Sequence, residues 1–105
     1  MNCDHMDIIT SQNAKKIKAY CHWLAKDLGL TMDLIWWGHA LHPDHVEAPY
    51  YLHMHVTEPF DTVPEFWFTA QEIFGYGDDT TTEAIQSKIR QDLEIRRDNH
   101  HRYAV

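Results

Sequence analysis

Five of the chain's nine histidines fall between residues 39 and 55, in the stretch HALHPDHVEAPYYLHMH. An imidazole can ligate a metal, titrate near neutral pH, or simply line a wet surface. His53 and His55 are two residues apart, so on an extended strand both rings leave the same face. That geometry lets two imidazoles converge on one divalent cation such as zinc. His42, His45, Asp44, Glu58 and Asp61 are the candidates for a third ligand. Carboxylates with no ammonium groups nearby would favour the cation and orient the imidazoles. The spacing matches no named metal motif, however, and no cysteine lies near enough to close a structural zinc site. A histidine-based, metal-dependent enzyme or metal sensor is therefore the alternative reading rather than the leading one.

Other chemistry finds less support. The chain has no G-x-S-x-G stretch, and GYG at residues 75–77 lacks the Lys-Ser/Thr pair that follows the glycines of a phosphate loop. Cys21 and His22 are adjacent, and adjacent helical positions do not face each other. The carboxylates offer no pair singled out for general acid–base work. No enzyme activity is expected.

Aromatic residues give a different signal. Trp36 and Trp37 are consecutive, as are Tyr50 and Tyr51, so on strands one of each pair enters the core and the other is left on the far face. An aromatic patch inside an acidic rim has the composition of a protein interface. The expected partner-binding residues are Trp36, Trp37, Asp44, Glu47, Tyr51, Glu58 and Asp61.

Charge points the same way. The formal net charge is -7, and it is unevenly placed: no Lys or Arg lies between Lys26 and Lys88, while residues 31–83 hold ten carboxylates. Such a field repels phosphate backbones and attracts cations or basic proteins, which argues against direct nucleic-acid binding. Both ends of the chain are slightly positive.

At 105 residues, with 44% hydrophobic and 24% charged residues, the chain has the composition of one folded domain and not of a disordered one. No apolar run is long enough to cross a bilayer, and the first residues lack a secretory signal pattern. A cytoplasmic protein is expected, with Cys3 and Cys21 as thiols.

The elements that would position these groups follow from periodicity. Ala14, Ile17, Cys21, Leu24 and Leu28 share one helical face over residues 11–28, with Thr10 or Ser11 as cap and Gly29 as stop. LTMDLIWW reads as a strand, and YYLHMHVT alternates so that Tyr50, Leu52, Met54 and Val56 face one way and Tyr51, His53, His55 and Thr57 the other. Residues 30–37 and 50–57 should form an antiparallel hairpin, its inner face on the first helix and its histidines outward. PEFWFTAQEIFG over residues 64–75 reads as a helix by the spacing of Phe66, Ala70, Ile73 and Phe74, although FWFTA suits a third strand equally. Thr80 and Glu83 suggest a capping box that opens a last helix to about Arg97, with Lys88–Asp92 and Arg90–Glu94 pairs. Residues 1–9 and 98–105 read as frayed ends.

The expected fold is thus a single small α+β domain: a helix, an antiparallel β-hairpin with room for a third strand, and C-terminal helices. Its sheet edges invite a second copy, so a homodimer is a further expectation. The expected function is a small acidic protein-interaction module that binds a protein with a basic surface and does not span a membrane. Its size, acidic middle and lack of a catalytic motif resemble in style the compact inhibitors that mobile elements direct at host defence proteins. A basic surface that grips nucleic acid would be the target.

Overall fold

The computed structural model describes residues 8–40 and 49–103. Helix α1 spans Gln12–Asp27 and is capped by Ser11, whose hydroxyl accepts from the Ala14 amide. Its end is set by Gly29, which takes a left-handed conformation at φ 73°. The Gly29 and Leu30 amides then bond back to the Lys26 and Ala25 carbonyls, closing the carbonyl end of the helix. This tight reversal sends strand β1 back along α1.

Strand β1 spans Thr31–His39 and β2 spans Tyr50–Glu58, paired antiparallel with Trp36 opposite His53 and Trp37 opposite Leu52. A register shift between Met32 and Leu34 gives β1 a bulge at Asp33. Strand β3, Glu65–Phe68, pairs antiparallel with β2, so the order is β1-β2-β3 with β2 central.

The 64–75 stretch is where periodicity misled. The helix expected there splits into β3 and a short helix α2, Ala70–Gly75. Phe66 and Phe68 are buried and Trp67 is half-exposed, a two-residue alternation that places the strand on the sheet. Thr69 then starts α2 with a full capping box: its hydroxyl accepts from the Glu72 amide, and its own amide donates to the Glu72 carboxylate. Asn13 of α1 donates to both the Ile73 and Phe74 carbonyls, tying the end of α2 to α1.

Helix α3 spans Asp79–Tyr103, so Thr80 lies inside its first turn and the box expected at Thr80 and Glu83 does not open it. The helix also runs past Arg97 through much of the segment expected to fray. Of the expected charge pairs, Arg90–Glu94 forms. Asp92 instead pairs with Arg96, and Lys88 donates to the Trp67 carbonyl and lies over the Phe68 ring.

One core joins these elements. Ile17, Cys21 and Leu24 of α1, Leu52, Met54 and Val56 of β2, Phe68 of β3, Ile73 of α2, and Ile85, Ile89 and Leu93 of α3 are all essentially sealed from water. The helices therefore form one layer on the face of the sheet that carries Tyr50, Leu52, Met54 and Val56. No helix among the described residues is long and apolar enough to cross a membrane.

The alternation of β2 sets the energetic contrast between neighbours. Met54→Ala should cost about 2–5 kcal/mol, because it empties a fully enclosed site. Thr57→Ala, which removes only an exposed hydroxyl bonded to the Thr31 carbonyl, should cost within about 1 kcal/mol. Urea unfolding of the two variants checks this; equal losses would mean that β2 does not present alternate faces to core and solvent.

Candidate functional site

Because β2 alternates, the residues it turns away from the helices are Tyr51, His53, His55 and Thr57. The register of β1 adds Leu34, Trp36 and Gly38 to that outer face, and β3 adds Glu65 and Trp67. A row of rings runs across the three strands. Trp36 meets His53 edge-on at 5.1 Å, His53 leans on Tyr51 at 4.5 Å, and Tyr51 meets Trp67 at 5.1 Å. Beside it Leu34 is 55% exposed.

Gly38 is what makes room for the Tyr51 ring. The Tyr51 ring covers Gly38 so closely that any side chain there would occupy the position of the ring itself. Only glycine leaves the space, and the sheet gains an aromatic cover over a position with no side chain of its own.

Carboxylates border the row. Glu65 accepts from the Trp67 indole at 3.1 Å, and its other oxygen lies 3.2 Å from His53 Nε2, outside hydrogen-bonding geometry. At the next pair along β2, the Asp33 bulge places Oδ1 2.8 Å from His55 Nδ1, while Asp61 Oδ1 lies 2.5 Å from His55 Nε2. A ring that donates from both nitrogens is an imidazolium. The Asp61 hydrogen bond accordingly raises the pKa of His55 above its ordinary value; desolvation, the next largest influence, opposes it, and the Asp33 charge and hydrogen bond and the Asp61 charge add to the rise.

The expected partner-binding residues separate in space. Trp36, Tyr51, Asp61 and the exposed Glu58 at the end of β2 lie on or beside the outer face. Trp37 turns inward, donating from its indole to the Ala14 carbonyl at 3.0 Å and packing against Phe68. Asp44 and Glu47 lie outside the described residues, as do His42 and His45. Trp67, Glu65, Asp33 and Gly38 join the site without having been singled out from sequence. Trp67 was hidden by the helical reading of 64–75, since the three consecutive aromatics Phe66, Trp67 and Phe68 show no polar alternation in sequence.

The histidine pair keeps its shared face but does not converge. His53 sits between two aromatic rings beside Glu65, and both nitrogens of His55 are directed at aspartates. A metal at His55 would have to displace one of them, and among the described residues no three His, Cys, Asp or Glu side chains are disposed to hold an ion. Cys21 is buried in the core, which pushes its thiol up to about 12 and keeps it protonated and unreactive.

No protein-family model, no curated protein and no solved structure matches the chain. The site is thus described by its own geometry.

That geometry sets a pH dependence. A histidine whose folded pKa is raised contributes stability that is fully present below its unfolded value of about 6.5 and is lost as pH rises through the folded value. Wild type should therefore exceed His55→Ala in urea midpoint by more at about pH 5.5 than at about pH 9. The same advantage at both pH values would show that His55 is not held as a cation.

Proposed function

We propose that the protein is a small protein-binding module whose outer sheet face docks on a basic surface of a partner protein. The observation that carries this reading is the ring row Trp36–His53–Tyr51–Trp67, uncovered by the helices, with Glu65 beside it and Asp33 and Asp61 around the next residue of the face, His55. Aromatic side chains supply the desolvated anchor of an interface, and a charged rim supplies steering and partner choice. The run without Lys or Arg from residue 27 to 87 spans all three strands, so no Lys or Arg of the sheet itself opposes an incoming cation.

Arginine fits this face best among the basic residues. Its planar guanidinium can stack on an indole or phenol ring while its edge bonds to a carboxylate, and here Glu65 lies beside both His53 and Trp67. Surfaces rich in such residues are those that hold nucleic acid. Occupation by this protein would exclude the nucleic acid, because both ligands need the same side chains. The reading is thus of an inhibitor by competition, and it assigns the chain no catalytic step.

The test is to recover the partner from the native host, reconstitute the pair from purified components, and measure binding kinetics. Affinity should fall steeply between about 50 and about 500 mM salt, since exposed charges are screened beyond roughly 8–10 Å at physiological ionic strength. Trp36→Ala or Trp67→Ala should raise the off-rate roughly tenfold or more, and the Asp61→Asn/Glu58→Gln pair should chiefly lower the on-rate. Nucleic acid should compete with the protein for the partner. Salt-indifferent binding, or a partner whose contact surface is acidic or neutral, would overturn the reading.

A further inference from the structure

A second surface lies at the free edge of the sheet, and its charge is opposite. In an antiparallel pair, hydrogen-bonded residues alternate with non-bonded ones. The Ala40 amide bonds to the Pro49 carbonyl, so by the observed register Gly38, Trp36 and Leu34 direct their backbone groups toward β2. Ile35 and Trp37 therefore direct theirs away from it, to the side where no described strand pairs with β1. Strand β1 contains neither Lys nor Pro, and past the bulge at Asp33 its pairing runs without a register shift from Leu34 to His39.

Helix α1 runs beside that edge and in the opposite sense to β1. Its C-terminal turn adjoins Thr31 and Met32, and near its other end the Ala14 carbonyl receives the Trp37 indole. With about 100° between successive residues, Lys15, Lys18, His22 and Lys26 fall within roughly 80° of the helix circumference. Lys16, Tyr20 and Trp23 occupy the other flank, where a groove opens toward α3. The lysine flank is thus the one beside β1. A groove of about 460 Å³ lies there, lined by His22, Ala25 and Lys26 from α1 and by Leu30 and Met32 at the start of β1. Among the described residues, Lys15, Lys18 and Lys26 form no ion pair.

We propose that the β1 edge, from the groove beside Thr31 and Met32 along to Trp37, receives an extended acidic segment of a partner chain, which adds to β1 as a fourth strand. Backbone groups of the segment pair with Ile35 and Trp37. The side chains opposite those residues point to the helix layer, where the lysine flank meets them. The periods match: alternate residues of a strand advance about 6.7 Å, and the i, i+4 steps from Lys26 to His22 to Lys18 advance about 6 Å. An acidic residue at every second position therefore meets a basic side chain at each helical turn. The overall charge of -7 opposes an acidic ligand only weakly, because screening over about 8–10 Å lets the nearest charges dominate. The site is separate from the outer sheet face, and neither assignment depends on the other.

A blocked peptide of seven residues, alternating glutamate with threonine, is the probe, and amide NMR of the full chain is the readout. Binding should shift and protect the Ile35 and Trp37 amides. The Lys18→Glu/Lys26→Glu double variant, both changes being on the helix surface, should lower affinity at least tenfold. Methylating the glutamate amides of the peptide should abolish binding, since those amides would face β1, while methylating the threonine amides should leave it. An alternating lysine–threonine peptide should not bind at the edge. Equal binding by the glutamate-methylated peptide, or shifts confined to Trp36, Tyr51 and Trp67, would overturn the proposal. So would sedimentation showing a dimer with Ile35 and Trp37 already protected, which would assign the edge to a second copy of the chain.

Discussion

The structure depends on the two-residue period of β2. Tyr50, Leu52, Met54 and Val56 are buried, and Tyr51, His53, His55 and Thr57 keep partial access to solvent. A slip of one residue would drive two imidazoles into the apolar core and expose the four core side chains, so the register is fixed by burial on both sides of the strand. Because β2 is central, that choice is transmitted to its neighbours: β1 and β3 must present Ile35, Trp37, Phe66 and Phe68 to the same side. All three helices then have only one apolar surface to cover. The outer face is what remains.

That outer face is not an ordinary polar sheet surface. Asp33 and Asp61 both direct a carboxylate at His55 and favour its protonated form, while Glu58 and Glu65 have no Lys or Arg beside them in sequence. Four of the five lysines, Lys15, Lys16, Lys18 and Lys26, are gathered instead on α1, in the layer on the other side of the sheet. A chain with a modest net charge thus concentrates carboxylates on one face of the sheet and lysines in the layer behind it.

Elements with a single unambiguous period were legible in the sequence. Helix α1 could be read with its cap at Ser11 and stop at Gly29, and so could the β1–β2 pair with the alternation of β2. Residues 64–75 were not, because a four-residue strand is too short to establish a period against the helical spacing of Phe66, Ala70 and Ile73, and the sheet partner that decides the matter is remote in sequence. The same remoteness hid the second capping candidate: Thr69 and Glu72 have the same spacing as Thr80 and Glu83, and only the position of β3 tells which pair begins a helix. Within the site, His53, His55, Trp36 and Tyr51 followed from strand parity. Asp33 did not, since a bulge changes parity without leaving a mark in composition.

The ring row also bears on how the outer face can bind. Trp36, Tyr51 and Trp67 are each partly covered by a neighbour in the row, and Tyr51 is held down over Gly38, where no side chain competes for the space. Their rotamers are therefore set before any partner arrives. A surface of free aromatic side chains would lose about 0.5–1.5 kcal/mol of rotamer freedom per residue on docking, whereas a preformed row loses little of it. Ring contacts within the row also reduce the area left to water in the unbound protein, which limits nonspecific association of the exposed indoles. For the docking proposed above, a prearranged aromatic surface with carboxylates beside it would suit fast selection by charge followed by close ring contact, on the base that the sheet supplies.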